Sequence, residues 1–106
     1  MTDSAVCIIN VIRSVPKGRV SCYRDIALAA GISNGARQVA RLLHSMSEKH
    51  RLPWHRIVRA DGCIALADGQ GRELQIELLR AEGVEVSKTG WVDLAKYGCF
   101  RLPYSS

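Results

Sequence analysis

The N-terminal residues place apolar side chains at the spacing of one helical face. Ala5 is followed by isoleucines at positions 8, 9 and 12, which is the i, i+3, i+4, i+7 pattern of an amphipathic helix. Asp3 or Ser4 is suited to cap the start of this helix. The Pro-Lys-Gly segment at residues 16–18 is typical of a turn and is expected to end it.

Two further helices are predicted, joined by a short turn that contains glycine. The first begins after Ser21, which stands at an N-cap position, and Gly31 is suited to the C′ position behind it. The apolar positions of the two helices are Tyr23, Ile26, Ala27 and Ala30, then Ala36, Val39, Ala40 and Leu43. Two short helices with such a connection form the helix-turn-helix pattern.

The third predicted helix also carries a basic face. Arg37, Arg41 and His44 follow the i, i+4, i+7 spacing, and a recognition helix needs such a face to bind DNA. A solvated basic surface would have the same spacing, so this pattern alone leaves both interpretations open.

A β-hairpin is expected after a polar loop over residues 47–52. Residues 53–59 are predicted to form a strand, the Asp-Gly pair at 61–62 a hairpin turn, and residues 63–66 the return strand. A hairpin that follows a helix-turn-helix indicates a winged-helix-like fold. The fold class is therefore α/β, mainly α, with a short β-hairpin wing.

A fourth helix is predicted over the segment that ends at Gly83. Its apolar positions are Leu74, Leu78 and Ala81. The remainder of the chain, with Trp91 and Tyr97, is expected to form a tail packed on the body. At 106 residues the whole chain, 1–106, is predicted to be a single domain.

The charge of +5 is concentrated in the first part of the chain. Residues 1–60 carry ten Lys and Arg against three Asp and Glu, whereas residues 61–106 carry five against seven. A basic N-terminal half favours a polyanionic partner such as nucleic acid. A bias towards solubility would explain the same charge.

Composition narrows the other function classes. No apolar run approaches the length of a membrane span, and the N-terminus lacks the basic start of a secretory signal, so an intracellular protein is expected, cytoplasmic in a bacterium or nuclear in a eukaryote. The cysteines at positions 7, 22, 63 and 99 match no zinc-binding spacing. We expect reduced packing residues, and neither metal nor cofactor.

Blocks of sequence along the chain carry a specific resemblance. They read PKGRV at 16–20, YRDIA at 23–27, GARQV at 35–39, PWHRIV at 53–58 and LLRAEG at 78–83. In this order and spacing the chain resembles the DNA-recognising domain of the O6-alkylguanine-DNA alkyltransferases across nearly its whole length. The resemblance implies that the chain binds double-stranded DNA containing O6-alkylguanine.

Position 54 departs from the alkyltransferase pattern. Those enzymes have Pro-Cys-His-Arg, and the cysteine accepts the alkyl group, whereas this chain has Trp54 followed by His55. Alkyl transfer needs an activated thiolate, and an indole offers only an N–H donor. The chain is therefore similar to the alkyltransferase-like branch, in which the reactive cysteine is replaced, and no enzymatic activity is expected. His55 is expected to make a structural hydrogen bond.

The resemblance also implies roles for individual residues. Tyr23, Trp54 and Ile57 would form the lesion pocket, with Tyr23 assisting rotation of the nucleotide and Ile57 placing backbone groups along the pocket edge. From the residues alone, Tyr23 and Trp54 are also compatible with a place in the core.

The DNA contacts implied by the resemblance lie mainly on the third helix. Arg37 would be the finger that fills the space left by the flipped nucleotide. The other predicted DNA-binding residues are Ser21, as a phosphate site, the small Gly35 and Ala36, and Arg41. In the family a hydroxyl residue after the hairpin faces the lesion oxygen, and here the stretch 65–68 has none.

The resemblance implies a function without chemistry. The chain would recognise O6-alkylguanine through the minor groove by nucleotide flipping, as a monomer, and hand the lesion to the damage-recognition proteins of nucleotide excision repair. Two rivals remain open on the sequence. One is an active alkyltransferase that uses another thiol, for which Cys63 is nearest the motif, and the other is a winged-helix transcription regulator indifferent to the lesion.

Overall fold

The computed structural model describes residues 2–100 of the chain, and the structure is mainly helical. Its helices are α1 (Asp3–Arg13), α2 (Tyr23–Ala29), α3 (Ala36–His50), α4 (Arg72–Ala81) and α5 (Leu94–Tyr97). Its strands are β1 (Ser21–Cys22) and β2 (Ile57–Val58), and a 3-10 turn occupies Trp54–Arg56. Among these described residues, no helix is long and apolar enough to cross a membrane.

Helix α1 buries the predicted apolar face. Ala5 and the isoleucines at 8, 9 and 12 are its buried residues. The cap is Thr2, one residue earlier than expected, and its hydroxyl accepts a hydrogen bond from the Ala5 N–H at 3.1 Å. The prediction of Asp3 or Ser4 as the cap was wrong because both lie inside the first helical turn.

Helices α2 and α3 form the predicted pair, with Gly31 in the left-handed region at φ 81°. The N-cap of α2 is Cys22, whose Sγ accepts a hydrogen bond from the Asp25 N–H at 3.4 Å. The prediction of Ser21 as this cap was wrong because Ser21 lies in β1, paired with Ile57.

Helix α3 is longer than the pattern predicted. Residues 47–50 continue the helix, which ends at Arg51 in the left-handed region at φ 51°. The expected loop over 47–52 was wrong because no glycine or proline interrupts the helix there. Lys49 and His50 also complement the negative carboxyl end of the helix dipole.

The sheet is parallel, and the predicted hairpin wing does not form among the described residues. Strand β2 pairs with β1 in the register Ser21↔Ile57 and Cys22↔Val58. The turn at 61–62 is present, since the Gly62 N–H donates to the Arg59 carbonyl at 2.9 Å. The Arg59 N–H also donates to the Cys63 carbonyl at 2.9 Å across this turn, but no strand ladder follows in this described stretch, and the bridge that the return segment forms is Cys63↔Trp91. Distant segments, which the local pattern could not reveal, supply the partners of both predicted strands.

Helix α4 buries a face different from the predicted one. Its buried residues are Gln75 and Leu79, whereas Leu74 is exposed. The apolar pattern misled because the central inward position holds a glutamine whose amide is satisfied by hydrogen bonds. The helix ends as predicted, with Gly83 at φ 86°.

The core consists of two clusters that meet at the small sheet. Ile57 belongs to the cluster of α1, α2 and α3, and the next residue, Val58, belongs to the cluster beneath α4 and residues 84–94. Successive side chains of a strand point to opposite faces. The strand therefore joins the helix-turn-helix to α4, and the segment just before β2 lies at the junction. Of the expected tail, residues 101–106 lie outside the described residues.

Candidate nucleic-acid interface

A cavity of about 510 Å³ opens between α3 and the segment that leads into α4. This volume is in the range of sites that hold a small organic molecule. The lining on one side comprises Tyr23, Ala40, Leu43, His44 and Ser47, with Trp54 and Ile57 at the base, and on the other side Ala65, Leu66, Gln70, Gly71, Leu74 and Gln75. The three predicted pocket residues, Tyr23, Trp54 and Ile57, thus surround one cavity.

Trp54 is partly exposed and stands at the start of the 3-10 turn. Its backbone N–H donates to the Leu52 carbonyl at 2.8 Å. Its ring meets the His55 ring edge-on, with the ring centroids 6.1 Å apart. The tip of the indole lies about 4 Å from where a Cβ on Gly71 would be. Trp54 is therefore partly buried, packing against the core cluster of α1, α2 and α3 while it also lines the cavity.

His55 points away from the cavity opening into an ion-pair cluster centred on Glu82. His55 Nε2 lies 2.7 Å from Glu82 Oε2, and Arg56 Nη2 lies 2.8 Å from the same oxygen. The Gly18 N–H donates to Glu82 Oε1 at 3.2 Å, and Arg56 Nη1 donates to the Val15 carbonyl at 2.9 Å. The cluster ties the turn after α1 to the end of α4, and it provides the structural hydrogen bond expected of His55.

The surroundings of Glu82 keep it ionised. Burial opposes ionisation, but hydrogen bonds from Arg56, His55 and the Gly18 N–H outweigh burial and lower the Glu82 pKa to about 2. An ionised carboxylate only accepts hydrogen bonds, so His55 donates to it through Nε2. Glu82 has no recognisable role in the sequence, because only the fold brings it beside the Trp-His-Arg motif.

Gln75 was also missed, because a glutamine on an otherwise apolar helix gives no local signal of a buried role. Its amide nitrogen donates to the His55 carbonyl at 3.1 Å and to the Ile57 carbonyl at 3.0 Å. These bonds fasten the 3-10 turn to α4 and hold Trp54 in place. The Ile57 carbonyl, expected along the pocket edge, is engaged by this glutamine.

No cysteine is among the residues that line the cavity in the described part of the chain. Burial raises the pKa of the Cys22 and Cys99 thiols, and desolvation raises that of Cys63 as well. A raised thiol pKa reduces the thiolate fraction and hence nucleophilicity. None of these three thiols has the environment of an activated acceptor.

The amino-terminal part of α3 presents exposed arginines. Arg37 and Arg41 are exposed, and within residues 2–100 neither guanidinium has a hydrogen-bond or ion-pair partner. Gly35 is buried, and a Cβ there would lie 2.8 Å from Ile32 Cγ2 in the turn and 3.0 Å from Ala27 Cβ on α2, so its small size serves the packing of α2 against α3. Ala36, next to it, is partly buried.

Ser21 is placed differently from the other predicted DNA contacts. It is buried, and its Oγ donates to the Cys99 carbonyl at 3.1 Å. The hydroxyl is thus engaged inside the protein, and in this conformation it is not presented to a phosphate.

A helix-turn-helix with an exposed basic helix, beside a cavity large enough for one base, defines a DNA-binding domain with a base-sized site. The family model of the 6-O-methylguanine DNA methyltransferase DNA-binding domain matches residues 4–84. The chain belongs to this family.

Relatives and solved structures agree with this assignment. A DNA base-flipping protein of Vibrio parahaemolyticus is 42% identical over 99 residues, which cover 92% of this chain and 96% of the relative. Alkyltransferase-like protein 1 of Schizosaccharomyces pombe is 33% identical over 81 residues, covering 76% and 75%. The structure of S. pombe Atl1 with damaged DNA containing O6-carboxymethylguanine has a TM-score of 0.82 at 29% identity and covers 92% of this chain and 94% of Atl1.

Proposed function

We propose that this protein recognises O6-alkylguanine in double-stranded DNA by flipping the nucleotide into the Trp54 cavity, and that it does not remove the alkyl group. The observation that carries the proposal is the position of Trp54. By the family resemblance, Trp54 stands where the alkyltransferase motif has the acceptor cysteine, and Trp54 lines a cavity whose described lining has no thiol.

The energetics of capture depend on the lesion. Extruding a nucleotide costs a few kcal/mol, and stacking on an aromatic side chain contributes about 1–3 kcal/mol per base. These terms are similar in size, so the weaker pairing of an alkylated guanine decides which base is held. Arg37, exposed near the start of α3, is the group that would enter the duplex, and Tyr23 borders the cavity from α2.

The absence of transfer follows from the chemistry of the site. Transfer requires a nucleophile beside a base. His55 is present, but its Nε2 is committed to Glu82, and the adjacent indole has no nucleophilic lone pair to activate. The His55–Glu82 hydrogen bond then has a structural role, since it fixes the 3-10 turn that carries Trp54 to the end of α4.

A protein that holds a lesion without repairing it requires a partner that acts next. The family resemblance favours the damage-recognition proteins of nucleotide excision repair, which would meet this protein, as a monomer, on the marked DNA. The test is whether excision of an O6-alkylguanine patch by a reconstituted repair system becomes faster when the protein is added.

Equilibrium binding to matched duplexes tests the recognition step. Two duplexes that differ only by one O6-methylguanine are titrated at the same stated salt concentration, because phosphate contacts make every affinity salt-dependent. Lesion recognition predicts tighter binding to the methylated duplex whatever the flanking sequence. Equal binding, combined with a preference for particular flanking sequences, would instead identify a transcription regulator.

A further inference from the structure

Leu74 on α4 is an exposed leucine at the edge of the cavity. It is 50% exposed and lines the cavity, whereas the next residue, Gln75, is buried. Leu66 lines the same side from the preceding loop, and its Cδ1 lies 3.2 Å from where a Cβ on Gly71 would be. Leu66 and Leu74, here termed the leucine wall, leave apolar surface that only a ligand would cover.

Arg72, two residues before Leu74 on α4, does not line the cavity. Arg72 Nη2 donates to the Thr89 carbonyl at 2.8 Å, and Nη1 donates to the Leu66 carbonyl at 3.5 Å. A Cβ on Gly90 would lie 2.3 Å from Nη2, so the guanidinium is packed beneath that glycine. Arg72 is therefore part of the scaffold and does not offer its charge to a ligand.

The acidic side chains of the same segment are engaged by neighbouring groups and do not line the cavity. Asp68 is exposed and lies 3.7 Å from Arg72 Nε, and both carboxylate oxygens of Glu73 lie 3.4 Å from the Gly69 N–H. Within the described residues, no Lys or Arg lines the cavity. An anionic group placed against the leucine wall would lose hydration without gaining a cation.

We infer that the leucine wall makes Leu74 a specificity-determining residue, which selects neutral apolar O6-alkyl groups over anionic ones. An apolar substituent covers the exposed leucine surface, and each fully buried methylene strengthens binding by about fourfold. A carboxylate in the same place meets apolar surface and no cationic Lys or Arg among the described lining residues. This inference rests on the proposed function, since it concerns the substituent of the flipped base.

The experiment compares four duplexes with one sequence, carrying guanine, O6-methylguanine, O6-propylguanine or O6-carboxymethylguanine. The proteins are the wild type, Leu74→Ser, Leu74→Lys and the control Val6→Ser. Val6 is 44% exposed on α1, away from this cavity, so its change removes similar apolar surface. All titrations are made at one stated pH and salt concentration, because phosphate contacts make every affinity salt-dependent.

The wild type is expected to bind the propyl lesion at least about fivefold more tightly than the carboxymethyl lesion. Leu74→Ser should weaken propyl binding by about threefold and leave carboxymethyl binding unchanged, since only apolar contact is lost. Leu74→Lys should bring the two affinities within about twofold by supplying a cation. Val6→Ser should match the wild type on all four duplexes.

Two results overturn the inference, and they differ in what else they overturn. If the wild type prefers methylated to unmodified DNA but binds propyl and carboxymethyl lesions equally, or if neither Leu74 variant changes their ratio, the inference fails and the proposed function stands. If the wild type binds all four duplexes equally, the proposed function fails as well.

Discussion

At the scale of single residues, Trp54 determines what the cavity can do. The 3-10 turn and the two Gln75 hydrogen bonds fix its backbone, and its ring remains partly exposed at the cavity base. The same place held by a cysteine would present a thiol beside His55. Under the proposed function, an indole at this position supplies a stacking surface and no thiolate.

Replacing Trp54 with Ala is expected to weaken binding to methylated DNA more than to unmodified DNA, because the surface lost is the one that contacts the flipped base. Binding titrations on the matched duplexes measure this difference. Thermal unfolding provides the control. Trp54 is partly exposed, so the free energy of unfolding should fall by less than the roughly 3–5 kcal/mol that truncation of a fully buried tryptophan costs. A larger fall would mean that Trp54 is a core residue.

Replacing Arg37 with Ala should cost about 1–3 kcal/mol of lesion binding, as expected for one well-placed DNA contact, and less on unmodified DNA. Arg41→Ala is the matched control, since it removes an exposed arginine one helical turn away on α3. The control should weaken binding to both duplexes equally. It should also lower the slope of log affinity against log salt concentration by about one. If Arg37→Ala behaves in the same way as the control, Arg37 is a phosphate contact and no finger.

At the scale of elements, Glu82 joins three segments that are distant in the sequence. It accepts hydrogen bonds from the turn after α1 and from the motif before β2, and it lies at the end of α4. The position of the 3-10 turn that carries Trp54 therefore depends on this cluster of charges. Because one partner is an arginine, the cluster remains charged over the physiological pH range.

The low Glu82 pKa predicts acid sensitivity. The folded-state pKa is about 2 and the ordinary value is 4.5, so the stabilisation is complete above about pH 4.5 and is lost as the pH falls towards 2. The shift corresponds to a contribution of about 3 kcal/mol to the free energy of unfolding. Urea unfolding of wild type and Glu82→Gln at pH 7 and pH 3 measures it. The free energies of unfolding of the two proteins should differ more at pH 7 than at pH 3. An equal difference at both pH values would exclude Glu82 as the source of the acid sensitivity.

The elements also show how far the sequence could be interpreted by itself. The buried face of α1 and the glycines after α2 and α4 could be predicted, because helical spacing and left-handed caps are local properties. The hairpin could not, because two-residue strands carry no periodicity and β2 pairs with a strand more than thirty residues earlier. The face of α4 was missed because Gln75 is buried through its hydrogen bonds.

The same distinction applies to the site. Tyr23, Trp54 and Ile57 could be predicted through the family resemblance, and the structure brings them to one cavity. Glu82 and Gln75 could not, since each acts through contacts with residues about twenty or more positions away. Ser21 was predicted to be a phosphate site at a helix start, but it lies in β1, and its hydroxyl donates to the Cys99 carbonyl.

At the scale of the whole molecule, the basic charge and the cavity share one helix. The amino-terminal part of α3 carries Arg37 and Arg41, and its carboxyl-terminal part lines the cavity with Leu43, His44 and Ser47. A duplex attracted by the basic half of the chain would therefore lie beside the cavity opening. The proposed function thus puts attraction to phosphates and capture of the base on one surface.

The most direct test of the central claim uses a duplex whose single O6-methyl group carries the label. The label retained with wild-type protein is measured first under native conditions and again after denaturation and digestion of the DNA. The account predicts that label remains with the protein in the native complex and that none remains after denaturation, at any incubation time. Label that stays on the denatured protein would mean that the alkyl group had been transferred, and it would contradict recognition without repair.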